Sequence, residues 1–373
     1  MRYICRLISL VLALLLWSKA AFPVEPNWPE TLTLGTASPG GTYFTYGEGL
    51  AKILSRELGI PVSARTTEGP VQNIALLENG EIQLAFVTLG VALQAWNGTG
   101  AGTLSKPFRN MRALFPMYDT PFQFVVMQGS PIQSIADLSG KRIGAGPQGG
   151  TTATYLPEML KALKIQAPLS YADWADLAQQ LRTGAMDAVV VAAGVPFPSF
   201  LDLEAHGNLR FLPLKAQQIG DLRLTLPELQ LSTVPPGIYR SLPSRYQTVG
   251  LYNFAVGRTD LPDDLVYAIL DVVFSHQDEL IEAHPAAAET VPVNFTRNTF
   301  LPFHNGAGRW YRNHAVGGLS RAINAVVVQP CRVAPLRGFL HLASLLRPPR
   351  RHRSAAWPVS YSGYVLPSEP NPA

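Results

Sequence analysis

The 373-residue chain contains only two cysteines, Cys5 and Cys331. Residues 20–316 therefore cannot form an internal disulfide, and that stretch has to be held by its core alone. Cysteine pairs at metal-ligand spacing and the His-Glu-x-x-His signature are both missing, which removes the common zinc sites. Charge is sparse at 15%, against 47% hydrophobic residues. The net charge of +4 hides an asymmetry. Residues 1–19 carry +3 and residues 317–373 carry +6, which leaves residues 20–316 at −5. A mildly acidic body argues against a nucleic-acid groove, because phosphate contacts need lysine and arginine in quantity. No Gly-x-Ser-x-Gly elbow occurs, and no carboxylates or histidines cluster visibly. His206, His276 and His284 fall in apparent surface helices or loops, and His304 reads as a turn cap. The chain is expected to be neither an enzyme nor a carrier of a cofactor or metal.

Against these absences stands an export-like start. Arg2 and Arg6 precede an apolar run from Leu7 to Trp17 broken only by Ser9, and Ser18-Lys19-Ala20 forms a small-x-small cleavage site. Residues 1–20 read as a signal peptide, cleaved or kept as an anchor, and imply a periplasmic or otherwise extracytoplasmic protein. The run is short for a membrane span, and no other stretch is long and apolar enough to be one. Cys5 lies before the run, where it cannot serve as a lipoprotein cysteine.

The body is organised around Thr31 to Leu58. Leu32 and Leu34 alternate as in a strand, and Leu50, Ile53, Leu54 and Leu58 recur at helical spacing. Between them lies Ser38-Pro39-Gly40-Gly41-Thr42, with Thr42 as the expected cap of the helix. Such a corner offers free backbone N–H groups at the positive end of a helix dipole, suited to a carboxylate or phosphate. The pattern returns at Lys141 to Thr152, where a short strand and a Gly-rich bend precede a helix carrying Leu156, Met159, Leu160 and Leu163. Two anion-ready corners about a hundred residues apart suggest two lobes facing one ligand.

Elsewhere the pattern alternates strand and helix, as in a parallel α/β sheet. Strands are expected at 61–67, 82–88, 168–171, 187–193, 208–214 and 248–256, and helices at 70–78, 153–163, 174–182 and from 263. The run from Met111 to Met127 reads as two apolar segments parted by Asp119-Thr120-Pro121, the second crossing into lobe two. Tyr43, Gln72, Asn73 and Thr88 fall at predicted strand ends, where open α/β sheets bind ligands. Tyr239 follows a Pro-Pro-Gly loop and faces either the cleft or the core. Trp96 and Trp174 read as core.

Four motifs together resemble one family. They are Gly40-Gly41-Thr42-Tyr43, Gly80-Glu81-Ile82-Gln83-Leu84-Ala85-Phe86-Val87, Asp137-Leu138-Ser139-Gly140-Lys141-Arg142-Ile143 and Leu301-Pro302-Phe303-His304-Asn305-Gly306-Ala307. Their order and intervals, over Thr31 to Tyr311, are similar to the TAXI family of solute-binding subunits of TRAP transporters. The resemblance implies an α/β, two-lobed periplasmic-binding fold of type II, each lobe a mainly parallel sheet flanked by helices, with the ligand cleft between lobes. It implies capture of a small organic anion, a glutamate-like amino acid or dicarboxylate, and delivery to the TRAP membrane permease subunits by a monomeric protein. The family's ligand loops carry over to Gly41, Thr42 and Tyr43, to Val71, Gln72 and Asn73, and to Gly149, Gly150, Thr151 and Thr152. The last loop departs from the family's Gly-Pro-Pro-Gly-Ser-Gly-Thr-Glu pattern at Gln148, Gly150, Thr151 and Ala153. Lobe one is expected over 25–124 plus 250–312 and lobe two over 125–249. Residues 317–373 form a basic Pro/Arg-rich tail, read as a disordered extension or the product of a reading-frame slip.

Two other readings compete. Gly144-x-Gly146-x-x-Gly149, with Asp173 downstream, formally matches the dinucleotide fingerprint, although Pro147 stiffens the turn. An enzyme on a similar scaffold, acting on a phosphorylated or dinucleotide substrate, or a sensory binding module would reuse the same backbone corners.

Overall fold

The computed structural model describes residue 25 and residues 27–314; the expected leader and the tail from Gly317 lie outside them. The first strand, β1 (Leu32–Gly35), feeds the helix α1 (Thr42–Leu58), whose buried stripe includes Leu50, Ile53, Leu54 and Leu58. Gly59, in the left-handed region at φ 69°, stops the helix. The chain continues through β2 (Val62–Arg65), α2 (Pro70–Glu78), β3 (Leu84–Thr88) and α3 (Leu89–Asn97). Every residue of β3 is buried, as expected of a strand covered on both faces.

β4 (Met111–Met127) is a single strand of 17 residues. The break expected at Asp119-Thr120-Pro121 does not occur. Pro121 has no N–H to donate, and it keeps its place in the strand opposite Gly250; the register shifts against the facing strand fall at Tyr252/Phe254 and Ala255/Val256. After β4 come β5 (Ile143–Gly144), α4 (Thr151–Ala162), β6 (Leu169–Ser170), α5 (Trp174–Thr183) and β7 (Ala188–Ala192). Next are α6 (Pro198–His206), β8 (Leu209–Phe211), α7 (Ala216–Thr225), β9 (Gln230–Val234) and β10 (Tyr246–Arg258). The described chain closes with α8 (Asp263–Ser275), α9 (Gln277–Ala283) and α10 (Asn305–Asn313).

The strands run in the order β2-β1-β3-β10-β4-β7-β5-β6, with β8 also on β4 and β9 also on β10. β1 pairs in parallel with β2 and β3, and β5 in parallel with β6 and β7. β10 is antiparallel to both β3 and β4. The fold is thus two-lobed and α/β, with a parallel sheet in each lobe. The two long strands β4 and β10 run through both, and the expected divisions at 124/125 and 249/250 fall inside them. One buried apolar cluster gathers residues from Trp28 to Tyr311; a second, smaller one gathers Trp174, Phe197, Phe200, Phe211, Tyr239 and Tyr246.

Candidate functional site

The two glycine corners are built alike. At the first, Gly41 N–H donates to Ser38 O at 3.3 Å; at the second, Gly150 N–H donates to Pro147 O at 2.9 Å. Each of these glycines is extended, with φ/ψ of −101°/156° and −85°/160°, and each carbonyl then accepts the first bond of its helix, from Thr45 N and Thr154 N. The N–H groups of Thr42 and Tyr43, and of Thr151 and Thr152, have no carbonyl one turn earlier to receive them. Both helix starts open onto one cavity, which leaves about 40 Å³ for the centres of water-sized molecules. At roughly 10–15 Å³ per water position, that is room for about three waters or a small organic molecule.

Thr42 does not cap α1 as expected: its hydroxyl donates to Gly194 O at 2.9 Å, tying the helix start to the segment after β7. Tyr43, buried among Phe86 and Tyr118, donates its phenol O–H to Asn253 Oδ1 at 2.7 Å. Burial pushes that phenol well above its ordinary range, so it stays a donor. Asn253 Nδ2 in turn donates to Tyr118 O at 2.8 Å and to the Thr120 hydroxyl. Thr88, at the end of β3, and Thr151, at the start of α4, share a hydroxyl–hydroxyl bond of 3.2 Å. The cavity is therefore walled by polar side chains already bonded to one another.

The remaining walls are apolar. Trp174, the first residue of α5, lines the cavity with Phe197, and their rings meet edge to face at 5.2 Å. Trp174 packs against two of these corner glycines, although at Gly40 the tightest neighbour is Ser199 Oγ, 2.5 Å from where a Cβ would sit. Gly40, at φ +80°, and Gly146, at φ +74°, both lie against it, and a Cβ on Gly146 would come within 2.3 Å of the Trp174 ring. Of the glycines that imitate a dinucleotide fingerprint, Gly146 is accounted for by packing on this indole, whereas Gly144 lies against Leu177 and Val189 and Gly149 against Glu68. Ala37, Ala192 and Ala193 complete the apolar lining, and Glu68, exposed at the rim, is the charged residue among those that line it.

Of the residues singled out in the sequence, Gly41, Thr42, Tyr43, Thr88, Gly150 and Thr151 meet at this cavity. Gln72 and Gly149 lie instead on an adjoining open groove with Glu68, Gln148 and Tyr171. Gln72 Oε1 accepts from Glu68 N at 2.8 Å. Asn73 lines neither: it is fully buried, with Nδ2 donating to Thr36 O and Phe86 O and Oδ1 accepting from Thr67. Thr152 Oγ1 accepts from Ala192 N at 2.8 Å and braces α4 against the end of β7. Tyr239 is core, stacked on Phe211 at 5.0 Å, its hydroxyl accepting from Phe197 N and donating to Gln123 Oε1, each at 2.7 Å. These three are supporting residues because their polar atoms are spent on the backbone or on neighbours behind the cavity wall.

The sequence reading missed Thr120, Trp174, Gly194, Phe197 and Asn253 on the lining. Asn253 had a visible signal, a lone amide in the apolar run Leu251 to Val256. His284 also departs from expectation: it is buried, and its Nδ1 accepts from Ala286 N at 3.1 Å. His304 caps its helix, accepting from Gly306 N at 3.2 Å.

Residues 34–314 match the NMT1-like family. The chain belongs to the NMT1-like family. Among solved structures, this NMT1-like chain is similar to MatC from Rhodopseudomonas palustris, with bound malate, at 13% identity and a TM-score of 0.52 over 81% of this chain and all of that one. It is also similar to a periplasmic transporter at 15% identity and a TM-score of 0.48, over 80% of this chain and 98% of the other. A putative L-cystine ABC transporter protein from Listeria monocytogenes aligns over 68% of this chain and 94% of its own, at 15% identity and a TM-score of 0.43. At such identity the likeness to MatC speaks for the fold.

Proposed function

We propose that this NMT1-like protein is an extracytoplasmic solute-binding protein that captures a small organic anion between its lobes and delivers it to a membrane permease. The observation that carries this is the opening of two helix N-termini, at Thr42 and Thr151, onto one cavity. Backbone donors aimed at a common point stabilise a carboxylate without a lysine or arginine, since each helix end contributes about half a positive charge. The export-like first twenty residues and the two-lobed fold support a place outside the cytoplasm. The four TAXI-like motifs favour a permease of TRAP type, and by that resemblance a glutamate-like or dicarboxylate guest and a monomeric subunit. No residue of the cavity is arranged as a nucleophile with a base, which favours binding over catalysis.

The test uses proline at the first helical position, where its ring suits the helix and its missing N–H was free anyway. Gly41 and Gly150 already hold the extended backbone that a following proline requires. Thr42→Pro and Thr151→Pro should each weaken binding of a carboxylate by about tenfold or more, the worth of one hydrogen bond to a charged group. Thr42→Val and Thr151→Val, which keep the N–H, separate loss of the amide from loss of the hydroxyl. Calorimetry with a carboxylate panel reads the result, and equal affinity of the proline and valine variants would mean that the helix ends do not hold the anion.

A further inference from the structure

The same cavity limits the charge its guest can carry. Its side-chain donors and acceptors are nearly exhausted before any guest arrives. Tyr43 and Asn253 satisfy each other, Asn253 also serves Tyr118 O and Thr120, and the Thr42 hydroxyl is spent on Gly194 O. What remains, apart from the helix-start amides, is the Trp174 indole N–H, one hydroxyl hydrogen in the Thr88–Thr151 pair and that of Thr120. Those can meet a neutral oxygen. They cannot satisfy a second carboxylate, whose two oxygens offer about four lone-pair sites.

Charge points the same way. The cavity lining includes neither lysine, arginine nor histidine, and its charged member, Glu68 at the rim, is negative. A second carboxylate would therefore lie against Trp174, Phe197 and alanine side chains, or beside Glu68. Burying an unpaired charge on such a wall is strongly unfavourable. An ammonium group fares little better inside, because the Gly194 carbonyl and Asn253 Oδ1 each have one lone pair already taken, and the lining carboxylate, Glu68, is exposed to water at the rim. The small inner volume favours a short body.

Resting on the small-anion reading above, we infer that the guest is a short monocarboxylate with an uncharged, largely apolar body, bearing at most a hydroxyl or keto oxygen. This departs from the acidic amino acid or dicarboxylate implied by family resemblance. The experiment is calorimetry on the intact exported protein with butyrate, 3-methylbutyrate and 2-oxobutyrate, set against succinate, L-glutamate and L-alanine. At least one of the three monocarboxylates should bind tenfold or more tighter than every one of the other three. If succinate, L-glutamate or L-alanine binds within tenfold of the best monocarboxylate, or more tightly, the inference is overturned while the small-anion reading stands. If none of the six binds at millimolar concentration, the small-anion reading itself falls, and the inference with it.

Discussion

The bond from Tyr43 to Asn253 is the polar contact on which the cavity wall turns. Both residues are buried, and Asn253 holds β10 to the carbonyl of Tyr118 on β4 as well. Tyr43→Phe leaves Asn253 Oδ1 without its donor, so we expect a loss of about 1–3 kcal/mol in unfolding free energy, read from urea denaturation. No loss would mean that water takes the place of the phenol at little cost. His284 makes a second prediction at this scale. Burial holds its imidazole down to about 4, against an ordinary value of 6.5, with the Pro196 carbonyl opposing. A base whose folded pKa is depressed is neutral in the native state and binds protons more readily when unfolded. Its contribution is therefore fully present above pH 6.5 and is lost as pH falls toward 4, by on the order of 3 kcal/mol. Asparagine can accept from Ala286 N in place of Nδ1, so His284→Asn should flatten the fall in stability between pH 6.5 and 4. An unchanged slope would place the titrating group elsewhere.

At the scale of elements, α5 braces both glycine corners. Its first residue, Trp174, packs on Gly40 and Gly41 before α1 and on Gly146 before α4, so one indole sets the distance between the two helix starts. Trp174→Ala should cost about 3–5 kcal/mol, as for a large buried aromatic, and should weaken carboxylate binding. Trp174→Phe should recover most of the stability but less of the binding. If both variants bind normally, the helix starts are positioned by something other than this contact. The corners themselves were legible in the sequence because a strand, a glycine bend and an amphipathic helix are local patterns. The helix from Pro70 to Glu78 was read to the residue, since proline and Asn79-Gly80 mark its ends. Trp174 and Phe197 were not legible as cavity residues, because they reach it from elements distant in the chain and look like ordinary core; Asn253 stood out only as a lone amide in an apolar run. α7 escaped for another reason: it buries only Ile219 and Leu222 and so shows almost no apolar period. β4 was split wrongly because Asp119-Thr120-Pro121 is a turn signal locally and a strand only in the company of β10.

For the molecule as a whole, a small set of bonds ties together segments on opposite sides of the cavity. Ser199, at the start of α6, gives both its N–H and its hydroxyl to Gly40 O, at 3.3 and 2.9 Å. Val71 N donates to Gly149 O at 3.1 Å, and Thr42 and Thr88 reach Gly194 and Thr151 as described. These bonds narrow the way in, so a guest enters more easily when they part and is held more firmly while they stay formed. Each is a neutral hydrogen bond worth about 0.5–1.5 kcal/mol, so their sum makes closure favourable without making it permanent. The guest shifts the balance further by as much as it binds the closed form better than the open one. Ser199→Ala removes the hydroxyl bond and keeps the N–H bond. Dissociation should then quicken by about three- to tenfold, with association little changed, because the deleted bond forms after the guest has entered. Stopped-flow fluorescence can follow this directly, since Trp174 lies in the cavity wall. A slower association with unaltered dissociation would show that Ser199 shapes the open entrance and does not latch the closed form.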